Sequence, residues 1–546
     1  MYTPDGTRIK TAKRPTVSKL TQAAPATPHE FEGYLGHPIT RRILKHLTQG
    51  PNGHTPMEKI FYSYRNPDAS LYEKIKYAPV HKAIDYFIAR TRISPERAVE
   101  KVFHHRPTTR TLLNTARSVA IHGLLAPQRF IAPLLVVWNI TNACNLSCRH
   151  CYQDAVHKRG SDELNRAEKL SVVDQLSENL VPLIALAGGE PLVDPDVWAV
   201  LERAQQKMVY ATLATNGTLL TPRNCERLAS LGVKYVEVSL DSVDPAVHDD
   251  FRQMKGAWAR SVEGIKNVSA AGMRCGIACC FTRDTVEHAQ EMIDLAISLG
   301  ADTFVHFNFI PVGRGVEMAH EDMSPAQREA LLILLQKTLN EGRISVMSTA
   351  PQFGRACLMF GDPEGMMAMG HGGSGRGQQA RVVSKYIGGC GAHRCYCSIQ
   401  PNGQVNPCVY MPTRTIGDLR KTPFAEIWNQ PLEAILSDRD DRGDHCGVCD
   451  YRSFCGGCRA RAESYTGDVQ AGDPGCVYNE HMWKEVIARG ERELGILNEP
   501  TARKVGVGGR TKMTSPMDAE SRLDPHPEMP AVDSSRPSKV SPNPSH

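Results

Sequence analysis

Apolar positions along the first quarter of the chain recur with a helical period. Val80, Ile84, Phe87 and Ile88 fall at i, i+4, i+7 and i+8, one face of a 3.6-residue repeat. Ser94 followed by Pro95 has the form of an N-cap and first helical residue, with Ala98, Val99, Val102 and Phe103 supplying a buried side. The pattern predicts an all-helical module over residues 34–130. From 131 to 335 the character changes to short apolar runs alternating with helical stretches, which predicts repeated βα units and an α/β fold with a parallel sheet or partial barrel. The strand candidates are Leu134–Ile140, Leu183–Ala187, Val209–Ala214, Tyr235–Leu240, Arg274–Phe281 and Phe304–Ile310. Strand side chains alternate between faces. In the fourth candidate this sets Val236, Val238 and Leu240 against helices and turns Glu237, Ser239 and Asp241 toward an interior cleft. In the sixth it opposes His306 and Asn308 to Val305, Phe307 and Phe309, making the two polar residues candidate cleft groups, with ordinary polar packing as the alternative.

Residues 336–385 are less regular and read as a linker or lid. Their GHGGSGRG at 370–377 lacks the Gly-Lys-Ser/Thr ending of a phosphate loop. A small cysteine-rich domain follows over 386–480, then an amphipathic closing helix over 481–498. Residues 1–33 and 499–546 are rich in Pro, Ser, Thr, Lys or Gly without a period, and read as disordered tails. A chain of 546 residues is long enough for two or three such domains.

Charge adds little to this picture. Lys and Arg number 64 against 59 Asp and Glu, a balance with no concentrated footprint for nucleic acid. No apolar run reaches the roughly 18 residues of a membrane span, and Pro133 interrupts the best candidate, Ile131 to Ile140. The N-terminus lacks the apolar stretch of a secretory signal, so a cytoplasmic protein is expected, with no membrane and no nucleic-acid partner. Seventeen cysteines change the picture more. Most lie in two blocks, which in a reducing compartment points to metal or redox chemistry rather than a disulfide framework.

The first block, NITNACNLSCRHCYQDA, spaces Cys144, Cys148 and Cys151 as C-x3-C-x2-C directly after a predicted strand. Three closely spaced thiolates can hold three irons of a four-iron cluster and leave the fourth open, and an open position is a catalytic one; a zinc loop is the competing reading. This spacing, with Tyr152 directly after the third cysteine, resembles the signature of the radical S-adenosylmethionine (SAM) superfamily. Gly188-Gly189-Glu190-Pro191 resembles that family's GGEP element, Thr215-Asn216-Gly217 its TNG element, and Ser239-Leu240-Asp241 its SLD segment, each at the end of a predicted strand. The resemblance implies a partial (β/α)6-type parallel barrel. It implies a [4Fe-4S] cluster on the three cysteines, and SAM bound by Tyr152, Gly188, Gly189, Glu190, Pro191, Thr215, Asn216, Ser239 and Asp241. The implied chemistry is reductive cleavage of SAM to a 5′-deoxyadenosyl radical that abstracts hydrogen from a substrate; no further catalytic residue is identified.

In the second block, Cys390, twelve residues, Gly403, four residues and Cys408 resemble the opening of the SPASM auxiliary-cluster domain. Cys446-x2-Cys449-x5-Cys455 resembles its middle and Cys476 its end. By that resemblance Cys446, Cys449, Cys455 and Cys476 hold one auxiliary cluster, and Cys390, Cys408 and Cys458 another, with Cys395 or Cys397 as possible additions. Cys458 follows Cys455 after two residues where the family has three, so its ligation is open. Zinc ribbons share the paired C-x2-C form. Cys225, Cys275, Cys279, Cys280 and Cys357 stand outside both blocks and read as buried small hydrophobes.

Cys455-Gly-Gly-Cys-Arg-Ala-Arg-Ala462 and Ile310-Pro-Val-Gly-Arg-Gly315 resemble the branch that modifies haem-precursor tetrapyrroles, while peptide and protein maturases share the framework. The substrate classes implied are therefore a tetrapyrrole, a peptide or a protein, with a flavodoxin- or ferredoxin-type electron donor. Arg314 is a candidate for a substrate carboxylate. The helical module is either a docking element or a structural cap. A non-catalytic iron–sulfur or zinc protein is the alternative from another class.

Overall fold

In the computed structural model, which describes residues 33, 35–50, 55–89, 95–368, 370, 373–430 and 434–494, all six strand segments form within a few residues of their expected bounds. They are β1 (Leu135–Thr141), β2 (Leu183–Gly188), β3 (Tyr210–Thr215), β4 (Tyr235–Ser239), β5 (Arg274–Cys280) and β6 (Thr303–Phe307). Each pairs in parallel with the next, and helices such as Arg166–Glu178 and Ala257–Ala270 make the crossovers.

The sheet is wider than six strands. β7 (Ser345–Ser348) adds in parallel to β6. After a hairpin of β8 (Met366–Ala368) and β9 (Ser374–Arg376), β10 (Tyr396–Ile399) adds in parallel to β1. Two short antiparallel strands, β11 (Gln404–Asn406) and β12 (Gly417–Asp418), complete the order β12-β11-β10-β1-β2-β3-β4-β5-β6-β7. The Asn402-Gly403 turn joins β10 to β11, with Gly403 at φ 85°. The stretch expected as a linker or lid is built instead of the helices Pro325–Glu341 (in its last turn), Gln352–Phe360 and Gly377–Ile387 with β7 between the first two. Its strand is only four residues long with a serine at each end, too short for an alternation to show.

Period-two alternation divides the sheet into two faces. Val136, Trp138 and Ile140, Ile184 and Leu186, Val236 and Val238, Ile277, Phe304, Val346 and Ile399 form one continuous core beneath the helices. Each of these side chains contributes about 1.5–3 kcal/mol by leaving water. On the opposite face Val137, Ala185, Ala187, Ala214, Glu237, Ser239, Ala278, Val305, Phe307, Met347 and Tyr396 surround a cavity of about 340 Å³. One face of every parallel strand thus borders one cavity, which is what a partial barrel requires.

The expected orientation of β6 is corrected by this division. Val305 and Phe307 face the cavity, and His306 lies on the core side, fully buried, with Nδ1 2.9 Å from Ser348 Oγ. Burial holds its pKa down at about 3, so the ring is neutral. Asn308, past the strand end, does line the cavity.

Among the described residues before β1 every element is helical. Ile84 and Ile88 pack with Tyr64, Ala98, Val99 and Phe103, whereas Val80 is exposed. Ser94 lies outside the described residues, as do residues 1–32, 499–546 and the end of the closing helix, which is seen as Glu480–Leu494. The helix Arg106–His122 joins the module to the sheet: Asn114 Nδ2 donates to Ala132 O at 3.0 Å and Arg110 Nη2 to Ser177 O at 2.6 Å. These contacts lie before β1 and β2, at the end of the sheet opposite the cysteine loop. Among the described residues no helix is long and apolar enough to cross a membrane.

Candidate active site

The loop leaving β1 carries Cys144, Cys148 and Cys151 and is closed on itself: Cys144 N donates to Val156 O at 2.7 Å and Val156 N to Asn142 O at 3.0 Å. Glu163 ties its entry through Thr141 Oγ1 and Asn142 N at 2.9 and 2.8 Å. Arg314 ties its far side, donating from Nε to Cys148 O at 2.9 Å and from Nη1 to Ala155 O at 2.7 Å. The arginine considered for a substrate carboxylate is thus engaged as a brace of this loop.

The sulfurs sit among donors. Leu146 N lies 3.3 Å from Cys144 Sγ, Ala155 N 3.4 Å from Cys151 Sγ, and Arg252 Nη1 3.8 Å from Cys148 Sγ. Burial pushes the Cys144 thiol up to about 12 and raises Cys148 as well. Such thiols ionise when a bound cation compensates the charge, which suits metal ligands.

The two glycines at the end of β2, Gly188 and Gly189, are demanded by this packing. Gly188 has φ 123°, and a Cβ on Gly189 would fall 2.1 Å from Ala143 O. Glu190 then turns inward, accepting from Thr215 Oγ1 and Asn216 N at 2.9 Å and from Leu192 N at 3.1 Å. Its carboxylate clasps the loops after β2 and β3 together. Of the residues expected around SAM, Tyr152, Gly188, Gly189, Thr215, Asn216, Ser239 and Asp241 border the cavity, while Glu190 and Pro191 lie behind it.

Asp241 is also engaged. Its Oδ2 accepts from Arg252 Nε and Nη2 at 2.7 and 2.6 Å, and its Oδ1 from Cys280 N at 3.0 Å. Although desolvation opposes ionisation, Arg252 leads the charges that hold this carboxyl below the usual range. Arg252 and His150 border the cavity and were not singled out in the sequence. His150 stacks on Phe251 with ring centroids 4.1 Å apart and planes 8° from parallel. Its aromatic ring inside Cys148-Arg-His-Cys151 was a visible cue; Arg252 carried none, since its partner is eleven residues away.

The second cysteine block divides in space. Cys390, Cys408 and Cys458 border the same cavity as the first trio, and Tyr410 bridges toward Tyr152 with ring centroids 5.2 Å apart. Cys446, Cys449, Cys455 and Cys476 border a separate recess with Arg355, His445 and Tyr478. Cys458 therefore stands with Cys390 and Cys408 despite its short spacing. Cys395 and Cys397 border neither space, and Cys397 belongs to the main core. Asp473 separates the two groups: its Oδ2 accepts from Cys458 N at 2.9 Å while its own N–H points at Cys446 Sγ, 3.4 Å away. A buried chain of Arg461, Asp322 and Arg328 continues from Asp473 to Asn308 at the cavity wall.

All seventeen cysteines are free of disulfides. Among the described residues no three His, Cys, Asp or Glu side chains converge as a single metal ion requires; the thiols stand around volumes instead.

Comparison with known proteins agrees with this arrangement. Residues 138–296 match the radical SAM superfamily and residues 390–450 an iron–sulfur cluster-binding domain, SPASM. The chain is 34% identical to an AdoMet-dependent heme synthase of Methanosarcina barkeri over 64% of this chain and 97% of that protein. It is 30% identical to the pre-heme d1 synthase of Dinoroseobacter shibae (63% and 85% covered) and 30% identical to the mycofactocin maturase MftC of Mycobacterium ulcerans (63% and 88%). Streptococcus suis SuiB, solved with its precursor peptide SuiA, shares the fold at a TM-score of 0.55 and 16% identity, over 78% of this chain and 93% of that one. With a cysteine trio at the mouth of a parallel partial barrel, a second cysteine domain beside it and a relative matched over nearly its whole length, the chain belongs to the radical SAM superfamily and is an enzyme using a [4Fe-4S] cluster and SAM, with auxiliary iron–sulfur sites in its SPASM domain.

Proposed function

We propose that this enzyme modifies a haem-type tetrapyrrole. The observation that carries the reading is the shared cavity: one space, walled mainly by apolar side chains, is bordered by Cys144, Cys148 and Cys151 and by Cys390, Cys408 and Cys458. A flat, apolar macrocycle with polar substituents suits such walls. The relatives named AdoMet-dependent heme synthase, pre-heme d1 synthase and Fe-coproporphyrin III synthase support the same class.

In this reading Cys144, Cys148 and Cys151 hold the SAM-binding cluster, and the amide and guanidinium donors around their sulfurs favour thiolate ligands. When bound there, cluster and SAM supply a 5′-deoxyadenosyl radical that takes a hydrogen atom from the substrate. The chain's own residues orient the parts. The Gly188-Gly189 backbone, Thr215, Asn216 and Ser239 border SAM's place, Arg252 presents a buried cation for its carboxylate, and the His150 ring offers a stacking face. Glu190 and Asp241 act through the loops and the arginine they hold. Cys446, Cys449, Cys455 and Cys476 hold one auxiliary cluster, and Cys390, Cys408 and Cys458 another. The helical module serves as a cap on the sheet. A reducing cytoplasm suits thiols kept free of disulfides, and reductive cleavage of SAM calls for a one-electron donor of the flavodoxin or ferredoxin type.

The test is anaerobic turnover of the reconstituted full chain with reductant, SAM and either an iron coproporphyrin or a candidate precursor peptide. The expected result is 5′-deoxyadenosine together with a mass change in the tetrapyrrole. A mass change in the peptide alone would transfer the enzyme to the maturase class.

A further inference from the structure

Glu237 stands apart from every other charged group in the cavity. It projects from the middle of β4 into the cavity beside its register partner Ala214 of β3, while over Gly276, its partner on β5, lies the phenol of Tyr235. The titratable groups that face it are Tyr235 on its own strand and Tyr152 from the cysteine loop, and Cys275 of β5 is near it on the core side of the sheet. None is a cation. The two arginines of the cavity are committed elsewhere, Arg252 to Asp241 and, in the reading above, to the SAM carboxylate, and Arg314 to Cys148 O, Ala155 O and Asp154. The cavity floor therefore offers an acid with no base beside it.

We propose that Glu237, protonated, binds a substrate carboxylate by sharing its proton, and so anchors the tetrapyrrole on the cavity floor. A carboxylic acid donating to a carboxylate in a space poor in water makes a short charge-assisted hydrogen bond, and paired carboxyls hold one proton between them for the same reason. Desolvation holds the Glu237 proton up to about pH 7, so the donor form is available under neutral conditions. The proposal rests on the tetrapyrrole reading, because haem-type substrates carry peripheral carboxylates. It adds that recognition of one of them uses a neutral acid in place of an arginine.

The experiment is an anaerobic absorbance titration of the reconstituted full chain with ferrous iron coproporphyrin III from pH 6 to 9, a range over which the probe's own carboxylates stay ionised. Wild-type Kd should rise about tenfold per pH unit above pH 7, the loss of one shared proton. Glu237→Gln, which still donates but cannot ionise, should hold Kd within about threefold across the range, and Glu237→Ala should bind about tenfold more weakly than wild type at pH 6. Equal iron content in the three proteins verifies folding; if the alanine variant fails this check, the contrast between wild type and glutamine still decides. A wild-type Kd that is flat, or that falls with rising pH as a carboxylate gripping a cation requires, overturns the proposal, as does a glutamine variant that tracks wild type. Failure of the wild type to bind the probe at any pH removes the tetrapyrrole reading itself.

Discussion

Arg252 joins Asp241 to Cys148: two of its nitrogens grip the carboxylate at 2.7 and 2.6 Å, and the third lies 3.8 Å from the sulfur. All three residues are buried, so the guanidinium is a fixed cation at the edge of the cluster site. Replacing Asp241 by Asn leaves that cation without its counter-charge, a loss of about 3–5 kcal/mol for a broken buried pair. The expected result is a lower melting temperature and a higher KM for SAM. The double variant Asp241→Asn/Arg252→Gln should recover most of the melting temperature and none of the SAM affinity, measured by thermal scan and 5′-deoxyadenosine release.

Glu190 predicts a different pattern, since it touches the loops and not the cavity. Glu190→Ala strands the Asn216 N–H and the Thr215 hydroxyl, each worth about 1–3 kcal/mol when left buried without a partner. Glu190→Gln keeps an acceptor in place. Both variants should weaken SAM binding, the alanine the more, by letting the loop after β3 drift. A glutamine variant as weak as the alanine, read by 5′-deoxyadenosine release against SAM concentration, would show that the charge rather than the clasp is what matters.

Where local pattern and burial point the same way, the chain was legible. The six strands and the inward face of β4 with Glu237 and Ser239 follow from alternation that one buried face enforces, and the turn at Gly403 from the Asn-Gly pair and its positive φ. β6 misled because His306 is a buried neutral ring on the core face and Phe307 an apolar one facing the cavity, the reverse of what polarity suggests. β7 and β10 were missed for opposite reasons: one is too short to show a period, and the other hides among cysteines that invite a ligand reading. Asp241 and Glu190 border or adjoin the right site, yet their oxygens are satisfied by protein donors. Only tertiary contacts decide that, and only they bring Arg252 and His150 to the cavity.

The two auxiliary sites should separate in an iron count. Cys446→Ala removes a residue of the outer recess and should lower bound iron by about four per chain, the content of one cubane. Replacing Cys144, Cys148 and Cys151 together should lower it by a similar amount and end 5′-deoxyadenosine formation altogether. Asp473→Asn acts on the group with Cys458, because the side chain holds the Cys458 amide and Arg461 while the main-chain N–H that faces Cys446 is unchanged. Its iron loss should therefore add to that of Cys446→Ala in the double variant, as two separate sites require.

Glu237 also makes a stability prediction that needs no substrate. Its pKa rises from 4.5 in the open chain to about 7 in the fold, chiefly through desolvation. Between these values the folded protein holds a proton that the unfolded chain has released, so stability falls as pH rises across the window and stays low above it. Below pH 4.5 the two states are protonated alike and Glu237 has no effect of this kind. At about 1.4 kcal/mol per pH unit the full penalty is about 3 kcal/mol, an upper bound because the side chain borders a cavity. Glu237→Gln removes the titration. Its melting temperature should match that of wild type near pH 4.5, exceed it increasingly toward pH 7, and keep a constant lead from there to pH 9. A lead that is the same at pH 5 and pH 8 would mean that the glutamine stabilises by packing, and that the carboxyl is not held in the neutral state by its surroundings.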